Sequence, residues 1–514
     1  MRRLSPLLPL LLGAAAATGF APLEWLPVTL IAFAVWLKLV HDAATLGRAL
    51  LTGWLFGVGH FTVNNNWIQH AFDYQDKMPP ELGYVAVVGL ALYLALYPML
   101  AAGLAWRLAS PRAAGDREAT PGIAYALVAA AAWIVAEWLR ARMFTGYAWN
   151  PLGVAWLAWP DVAIAARYVG TYAMSGLMVL VAGALLLITV RRWRLAAGVT
   201  ALLAAVVIVP HPGPDRGQDA DRPRVRVVQP NVGQQVLRTR EHEAELFRRL
   251  VALSGRPGAA PRLVVWPEGA VDPYLEDGYP GAWYHRGDAA FTRARIARVL
   301  GPRDQALIGG SALFFKDGEI TGAGNSIFVL DAQARLGGRY DKAHLVPGGE
   351  YLPMRWLLEP LGLSRLVAGE IDFIDGPGPQ TILLPGFGPV AMQICYEIIF
   401  SGEVVDRANR PAMIFNPSND AWFGSWGPVQ HLAQARMRAI EEGLPVIRST
   451  PNGISAVIDA NGAIVAQIPR FRAAAIELPI PRALPSTPFA RAGNLMAAAA
   501  VAALLALAML LRRR

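Results

Sequence analysis

Apolar residues fall along this chain in runs of two lengths. Near 5–20, 24–41, 48–66, 83–107, 122–141, 166–190, 194–210 and 491–511 they reach or approach the roughly 20 residues that a helix needs to cross a bilayer. Between the seventh and eighth of these runs the pattern changes to short apolar stretches alternating with amphipathic ones. RVRVVQP (224–230) predicts a strand, REHEAELFRRLVAL (240–253) a helix, LVVWPE (263–268) a buried strand, FTRARIARVL (291–300) a helix and ALIGGSALFF (306–315) a strand. Further strands are predicted over NSIFVLDA, TILLPG, GPVAMQIC, AMIFNPS and GISAVIDANGAIVAQI, and a helix over VQHLAQARMRAIEEG (429–443). HPGPDRGQDADRPR and PRALPSTP flank this block as turn-rich connections. The predicted organisation is a seven-helix transmembrane domain at 1–210, a linker at 211–223, an α/β block with mixed sheets at 224–485 and an eighth span at 491–511.

Composition agrees with a membrane protein that carries a water-facing part: 54% of residues are hydrophobic and 17% charged, with a mean hydropathy of +0.34. The first run follows Met1, Arg2 and Arg3, but AAAATGFAP leads straight into another apolar segment, so it reads as a retained helix rather than a cleaved signal. Basic residues mark the cytoplasmic ends of spans. Arg2 and Arg3, Lys38 and Arg48, Arg107, Arg112 and Arg117, RRWR (191–194) and Arg512 to Arg514 recur on alternate sides, which places both termini in the cytoplasm and the 211–485 block on the other face. Arg140 and Arg142 break that pattern, and either a lipid headgroup or an interfacial anchor accounts for them. The net charge of +9 comes largely from these flanking clusters, and no basic stripe interleaved with aromatics points to nucleic acid.

The chain has one cysteine, so no internal disulfide can form. Its eight histidines show no HExxH or paired-ligand spacing, which argues against a metal, and His344 and His431 read as structural. GGSAL (309–313) lacks the form of a serine nucleophile elbow. Three polar residues instead stand at predicted strand ends, where α/β sheets gather reactive groups: Glu268 closes LVVWPE, Lys342 follows a hairpin and Cys395 closes PVAMQIC. Each alone has a plain reading, as a helix-cap neighbour, a solvated lysine and a buried small hydrophobe. Together they meet a chemical need: a thiol requires a base for its proton or a cation to lower its pKa, and an ammonium steadies a tetrahedral oxyanion.

VVWPEGA, YDKAHLVPGGEYLP and QICYEIIF, in that order, resemble the Glu, Lys and Cys signatures of the nitrilase superfamily. FNPSNDAWFGSWGPVQHLAQARMRAIEEGLPVIRSTPNGISAVID, VNNNWIQHAF, FTGYAWNPLG and the seven-plus-one layout are similar to the apolipoprotein N-acyltransferase family of Gram-negative bacteria. The resemblance implies an αββα sandwich fused to a polytopic α-helical membrane domain in the inner membrane, with the catalytic block periplasmic. It assigns Glu268 as general base, Lys342 as oxyanion stabiliser and Cys395 as nucleophile, with Glu350, Tyr396 and Glu397 in support. The implied reaction moves the sn-1 acyl chain of a phospholipid, phosphatidylethanolamine by expectation, through a Cys395 thioester to the α-amino group of a diacylglyceryl apolipoprotein. It implies no cofactor, metal or nucleotide. Trp422, Phe423 and Trp426 are candidates for an acyl-guiding mouth, or for core and interface aromatics. NVGQQVLRTR departs from the family by placing Leu237 and Arg238 where an aromatic often stands. A membrane-tethered amidase or nitrile hydrolase, with water as acceptor, would use the same three residues.

Overall fold

The computed structural model describes residues 7–74, 77–110, 120–208, 213, 222–233, 239–367 and 371–512. Leu237 and Arg238, most of the expected linker, and Arg2, Arg3, Arg112, Arg117, Arg513 and Arg514 lie outside the described residues.

The amino-terminal apolar runs form α1 (Leu7–Ala16), α2 (Leu26–His41), α3 (Leu46–Asn64), α4 (Leu82–Leu94), α5 (Leu96–Ala109), α6 (Ile123–Arg140), α7 (Ala166–Thr189) and α8 (Trp193–Ile208). Ala95 keeps right-handed helical angles, so α4 and α5 make one 28-residue rod. Among the described residues four helices are long and apolar enough to cross a membrane: that rod, α6, α7 and Leu495–Arg512 near the carboxyl end. Of the other four expected spans, α1, α2 and α8 are apolar but shorter, and α3 carries Thr52, His60 and Asn64 along its 19 residues. Local signals set two of the starts: Thr45 accepts the Arg48 N–H and starts α3, while Pro27 sits in the first turn of α2. Inside the bundle Phe33, Trp36, Phe56 and Trp133 interlock, with neighbouring ring centroids 4.8 to 5.8 Å apart. Outward, the α4–α5 rod bares Tyr84, Val85, Val88, Leu92 and Leu96, an apolar surface suited to lipid.

The block that follows contains two six-stranded sheets among the described residues. One runs β12 (Ala474–Pro479), β1 (Arg224–Gln229), β2 (Arg262–Val265), β3 (Gln305–Lys316), β4 (Glu319–Asp331), β5 (Leu336–Asp341); the other runs β11 (Ile464–Ile468), β10 (Ser455–Ile458), β9 (Val446–Ser449), β8 (Met413–Pro417), β7 (Gly388–Met392), β6 (Thr381–Leu384). Each has a parallel centre, β1–β2–β3 and β7–β8–β9, with antiparallel strands outside it. Alternate residues settle the layering. Val225, Val227, Leu263, Val265, Leu307, Ile327 and Val329 share a core with Val390, Met392, Ile414 and Ile447 of the second sheet. Their neighbours Val264, Trp266, Ala306, Ile308, Phe328 and Leu330 pack against Leu246 and Leu250 of α9 (Arg240–Ser254) and Ile296 of α10 (Ala289–Ala297). α11 (Gly427–Glu442) brings Leu432, Ala435 and Ala439 to the core of the second sheet. The layers are helix, sheet, sheet, helix, and burial on both faces explains why the central strands read as unbroken apolar runs.

α12 (Leu495–Arg512) then returns to the bundle beside α6 and α7. The two parts meet on buried polar contacts. Trp149 donates its indole N–H to Gln430 at 2.8 Å, Gln434 donates to Asn150 at 3.0 Å, and Glu441 Oε1 accepts from the backbone and hydroxyl of Thr171, each at 2.6 Å. Arg140 is buried and donates to the Trp149 carbonyl, whereas Arg142 pairs with Glu403 across the junction at 2.6 Å.

Candidate active site

The polypeptide leaves β2 at Val265; Trp266 still donates to the Leu307 carbonyl, but Pro267 has no N–H to continue the ladder. Glu268 therefore stands three residues past the carboxyl end of the strand, rather than closing it. Gly309 on β3 makes room: a Cβ there would lie 2.2 Å from the Pro267 carbonyl oxygen and 2.9 Å from the Glu268 Cα. Glu268 Oε1 accepts from Asn325 of β4 at 2.7 Å, and its Oε2 is buried without a hydrogen-bond partner among the described residues.

Lys342 follows β5 directly and is 1% exposed. Its Nζ lies 2.9 and 2.8 Å from the two oxygens of Glu350 and 3.8 Å from Glu268 Oε1. Asn325 bridges the two carboxylates, donating also to Glu350 at 3.0 Å, and the Val346 N–H donates to Glu350 Oε2. Asn325 was not singled out from the sequence; a polar residue at the inward start of NSIFVLDA was its only signal.

Cys395 lies three residues beyond the end of β7, at the start of a tight turn, Cys395–Ile399. Its φ of 51° is left-handed, a conformation that costs a non-glycine residue about 1–3 kcal/mol. Glu397 braces the turn: Oε2 accepts from the Ile394 N–H at 2.6 Å, and Oε1 accepts from the Tyr340 hydroxyl and the Ala343 and His344 N–H groups, which tie the turn to the lysine segment. The Tyr396 hydroxyl donates to Gly146 of the α6–α7 connection at 3.3 Å, and His344 Nε2 lies 2.8 Å from the Thr145 carbonyl, so the membrane part lines the site.

Burial, and then the negative charge of Glu268, push the Cys395 thiol well above its ordinary pKa, although Lys342 pulls the other way. Glu268 is also raised, by burial first and further by Glu350, against the pull of Lys342. Burial disfavours the Lys342 ammonium, but Glu350 and Glu268 outweigh it and hold the lysine charged above its usual range. Burial, with Glu268 alongside, favours the protonated sulfur, so a thiol rests beside a carboxyl of raised basicity. Burial carries Glu397 up to about 7 despite its four donors.

Of the aromatic trio, Phe423 is buried, packing on Trp67, Trp149 and the His431 ring at 4.8 to 5.6 Å. It forms a wall of the junction, in line with the core alternative for this residue, and Trp149 of the α6–α7 connection lies against it. Trp422 and Trp426 are half-buried, the former against Tyr74. His431 is also more than filler, since its Nε2 lies 3.0 Å from the Cys395 carbonyl. Among the described residues no three or more His, Cys, Asp or Glu are grouped to hold a metal ion. The cluster can donate a thiol proton to a nearby carboxylate and hold a fixed cation beside the sulfur, the elements of nucleophilic acyl chemistry.

Residues 12–184 match the apolipoprotein N-acyltransferase N-terminal domain, and residues 224–484 match the carbon-nitrogen hydrolase family. An apolipoprotein N-acyltransferase of Rhodopseudomonas palustris is 34% identical over 98% of this chain and 94% of its own. Those of Bradyrhizobium diazoefficiens, at 35% over the same shares, and of Caulobacter vibrioides, at 34% over 90% and 85%, are similarly related. Among solved structures, an amidase from Nesterenkonia sp. aligns with a TM-score of 0.32 and 14% identity, covering 51% of this chain and 92% of that one.

Proposed function

The chain belongs to the apolipoprotein N-acyltransferases, and from that membership we propose that it transfers a fatty acyl chain from a phospholipid to the amino terminus of a diacylglyceryl apolipoprotein, by way of a thioester on Cys395. The observation that carries the reading is the buried Lys342 ammonium held between Glu350 and Glu268 at the strand ends that also present the only cysteine.

In the first half-reaction Glu268 accepts the Cys395 proton as the sulfur attacks the ester carbonyl carbon. The oxyanion forms beside the Lys342 ammonium and the Tyr396 N–H, the group that follows the nucleophile at the sharp turn. Collapse breaks the carbon–oxygen bond of the ester, Glu268 returns the proton to the departing lysophospholipid, and the acyl chain stays on sulfur. In the second half-reaction the amine attacks the thioester, Glu268 takes its proton and passes it to the leaving sulfur, and an amide results. Lys342 keeps its charge throughout, and the raised basicity of Glu268 suits it to accept and return a proton. An amide is more stable than a thioester, so the exchange runs without a nucleotide. Glu350 and Glu397 fix the lysine and the turn. In this reading the protein sits in the bacterial inner membrane, the 224–485 block is periplasmic, and phosphatidylethanolamine supplies its sn-1 chain.

The acceptor decides between transferase and hydrolase. Acyl-enzyme, offered a diacylated lipopeptide with a free amino terminus in water, is expected to yield N-acyl lipopeptide at least tenfold faster than free fatty acid. Equal rates, or fatty acid alone, would establish a hydrolase instead.

A further inference from the structure

The nucleophile's backbone is strained, and something must hold it. With φ at 51°, Cys395 turns its thiol one way and its carbonyl the other, toward the second sheet and α11. Two side chains meet that carbonyl: His431 Nε2 at 3.0 Å and Asn416 Nδ2 at 3.4 Å, the latter also donating to the Gln393 carbonyl at 2.7 Å. Both are fully buried.

A single guanidinium orients the pair. Arg448 on β9 is itself completely buried; its Nη1 donates to Asn416 Oδ1 and to Ser418 Oγ, and its Nη2 donates to Asp420 and, at 3.0 Å, to His431 Nδ1. The Cys395 carbonyl only accepts, so a neutral ring carries its proton on Nε2, and Nδ1, 3.3 Å from Asp420 Oδ1, is left to accept from Arg448. Because Asn416 Oδ1 accepts from the same arginine, its amide also has one permitted orientation, nitrogen toward the elbow. Asp420 Oδ1 neutralises Arg448, while its Oδ2 accepts from the Ile454 N–H at 3.3 Å. Burial first, and then Arg448, lower His431 to about 4, in keeping with an uncharged ring. Trp149 of the membrane part and Phe423 pack on that ring, with centroids 5.3 and 5.4 Å away.

We propose that His431 is a positioning residue for the nucleophile: oriented by the Arg448–Asp420 pair and acting with Asn416, it clamps the Cys395 carbonyl so that the thiol and the Tyr396 N–H face one hole. The clamp supplies from four elements, β8, the 418–420 segment, α11 and β9, the constraint that a glycine-free left-handed turn lacks. It rests on Cys395 being the reactive thiol, but it can be read without any lipid, because alkylation of the only cysteine reports on the same geometry.

The test compares full-length His431→Leu, which cannot donate, with His431→Gln, which retains an N–H donor. Met437→Ala, a buried α11 position on the bundle side, controls for lost packing alone. Two readouts are taken on folded protein: the pH profile of Cys395 alkylation by iodoacetamide, and the rate of thioester formation with phosphatidylethanolamine in mixed micelles. The sulfur faces Glu268, Lys342 and, further off, Asp420, so release of the elbow alters its titration. In His431→Leu the alkylation midpoint is expected to fall toward that of an ordinary thiol. Thioester formation should slow by about 100-fold, the scale of a misplaced reacting group, with the KM for phospholipid unchanged. His431→Gln should keep the wild-type profile and recover most of the rate, and Met437→Ala should lower Tm only. Wild-type behaviour in His431→Leu, equal losses in His431→Leu and His431→Gln, or a matching loss in Met437→Ala would overturn the clamp. If the wild type forms no thioester, the proposed reaction fails, and the alkylation profiles still decide the clamp.

Discussion

At the scale of single residues, the site works by arithmetic of charge in a buried place. Glu268 and Glu350 share one ammonium, and the thiol is pushed up first by burial and then by the Glu268 charge. In the proposed reaction that arrangement makes proton transfer to Glu268 part of the attack, instead of leaving a standing thiolate open to oxidation. A second buried carboxyl has no such partner. Glu442, at the end of α11, is fully buried, has neither oxygen hydrogen-bonded among the described residues, and is lifted to about 7 by burial and by neighbouring Glu441. A raised carboxyl pKa contributes stability that is complete below its unfolded value and lost as pH rises through its folded value. Between about pH 4.5 and 7 the wild type should therefore lose stability that Glu442→Gln does not. The stability advantage of the variant, followed by Tm, is expected to be small at pH 5 and to grow by pH 8, toward an upper figure of order 3 kcal/mol. A pH-independent difference would contradict the assignment.

At the scale of elements, function depends on where strands stop. β2 stops at a proline, β5 stops one residue before Lys342, and the strand order brings Asn325 between the two carboxylates. Gly309 is the tight point, because any side chain on β3 there meets the Pro267–Glu268 backbone. Gly309→Ala is expected to displace Glu268 and cut thioester formation by about 10- to 100-fold, while Gly337→Ala on β5, which would meet Val329 no closer than 3.4 Å, leaves it within twofold. Equal effects of the two substitutions on the rate would show that the close approach is irrelevant. Glu268, Lys342 and Cys395 stood out in the sequence as candidates because each is a chemically conspicuous side chain after an apolar run. The strand ends themselves were read three residues late at both Glu268 and Cys395, because WPE and QIC continue the apolar pattern after pairing has ceased. β9 and β12 were not anticipated, and β5 only as the hairpin strand before Lys342, without bounds: LGGRYD carries two glycines and two charges, VIRS is four residues long, and AAIELP is partly exposed on both faces. The left-handed φ of Cys395 and the Arg448 hub left no mark in the sequence, since only tertiary partners create them.

At the scale of the whole molecule, the bundle packs directly against the candidate site. Trp149 covers His431, the Gly146 carbonyl receives the Tyr396 hydroxyl, and Thr171 is bonded to Glu441. The sequence showed why lipid substrates call for membrane spans, but not that the α6–α7 connection reaches the nucleophile's turn, because contacts about 250 residues apart have no local pattern. Residues 224–485 produced alone are accordingly expected to expose the α11 face, to aggregate or bind a hydrophobic dye, and to form no thioester even in micelles. A soluble, active fragment would show that the bundle only tethers.

The most direct measurement is the intact mass of purified full-length protein after incubation with phosphatidylethanolamine and no acceptor. The account predicts a gain of one fatty acyl group, mapped to Cys395, released by hydroxylamine and absent from Cys395→Ala and Glu268→Gln. No gain in the wild type, or an acyl group that persists in Cys395→Ala, would contradict it.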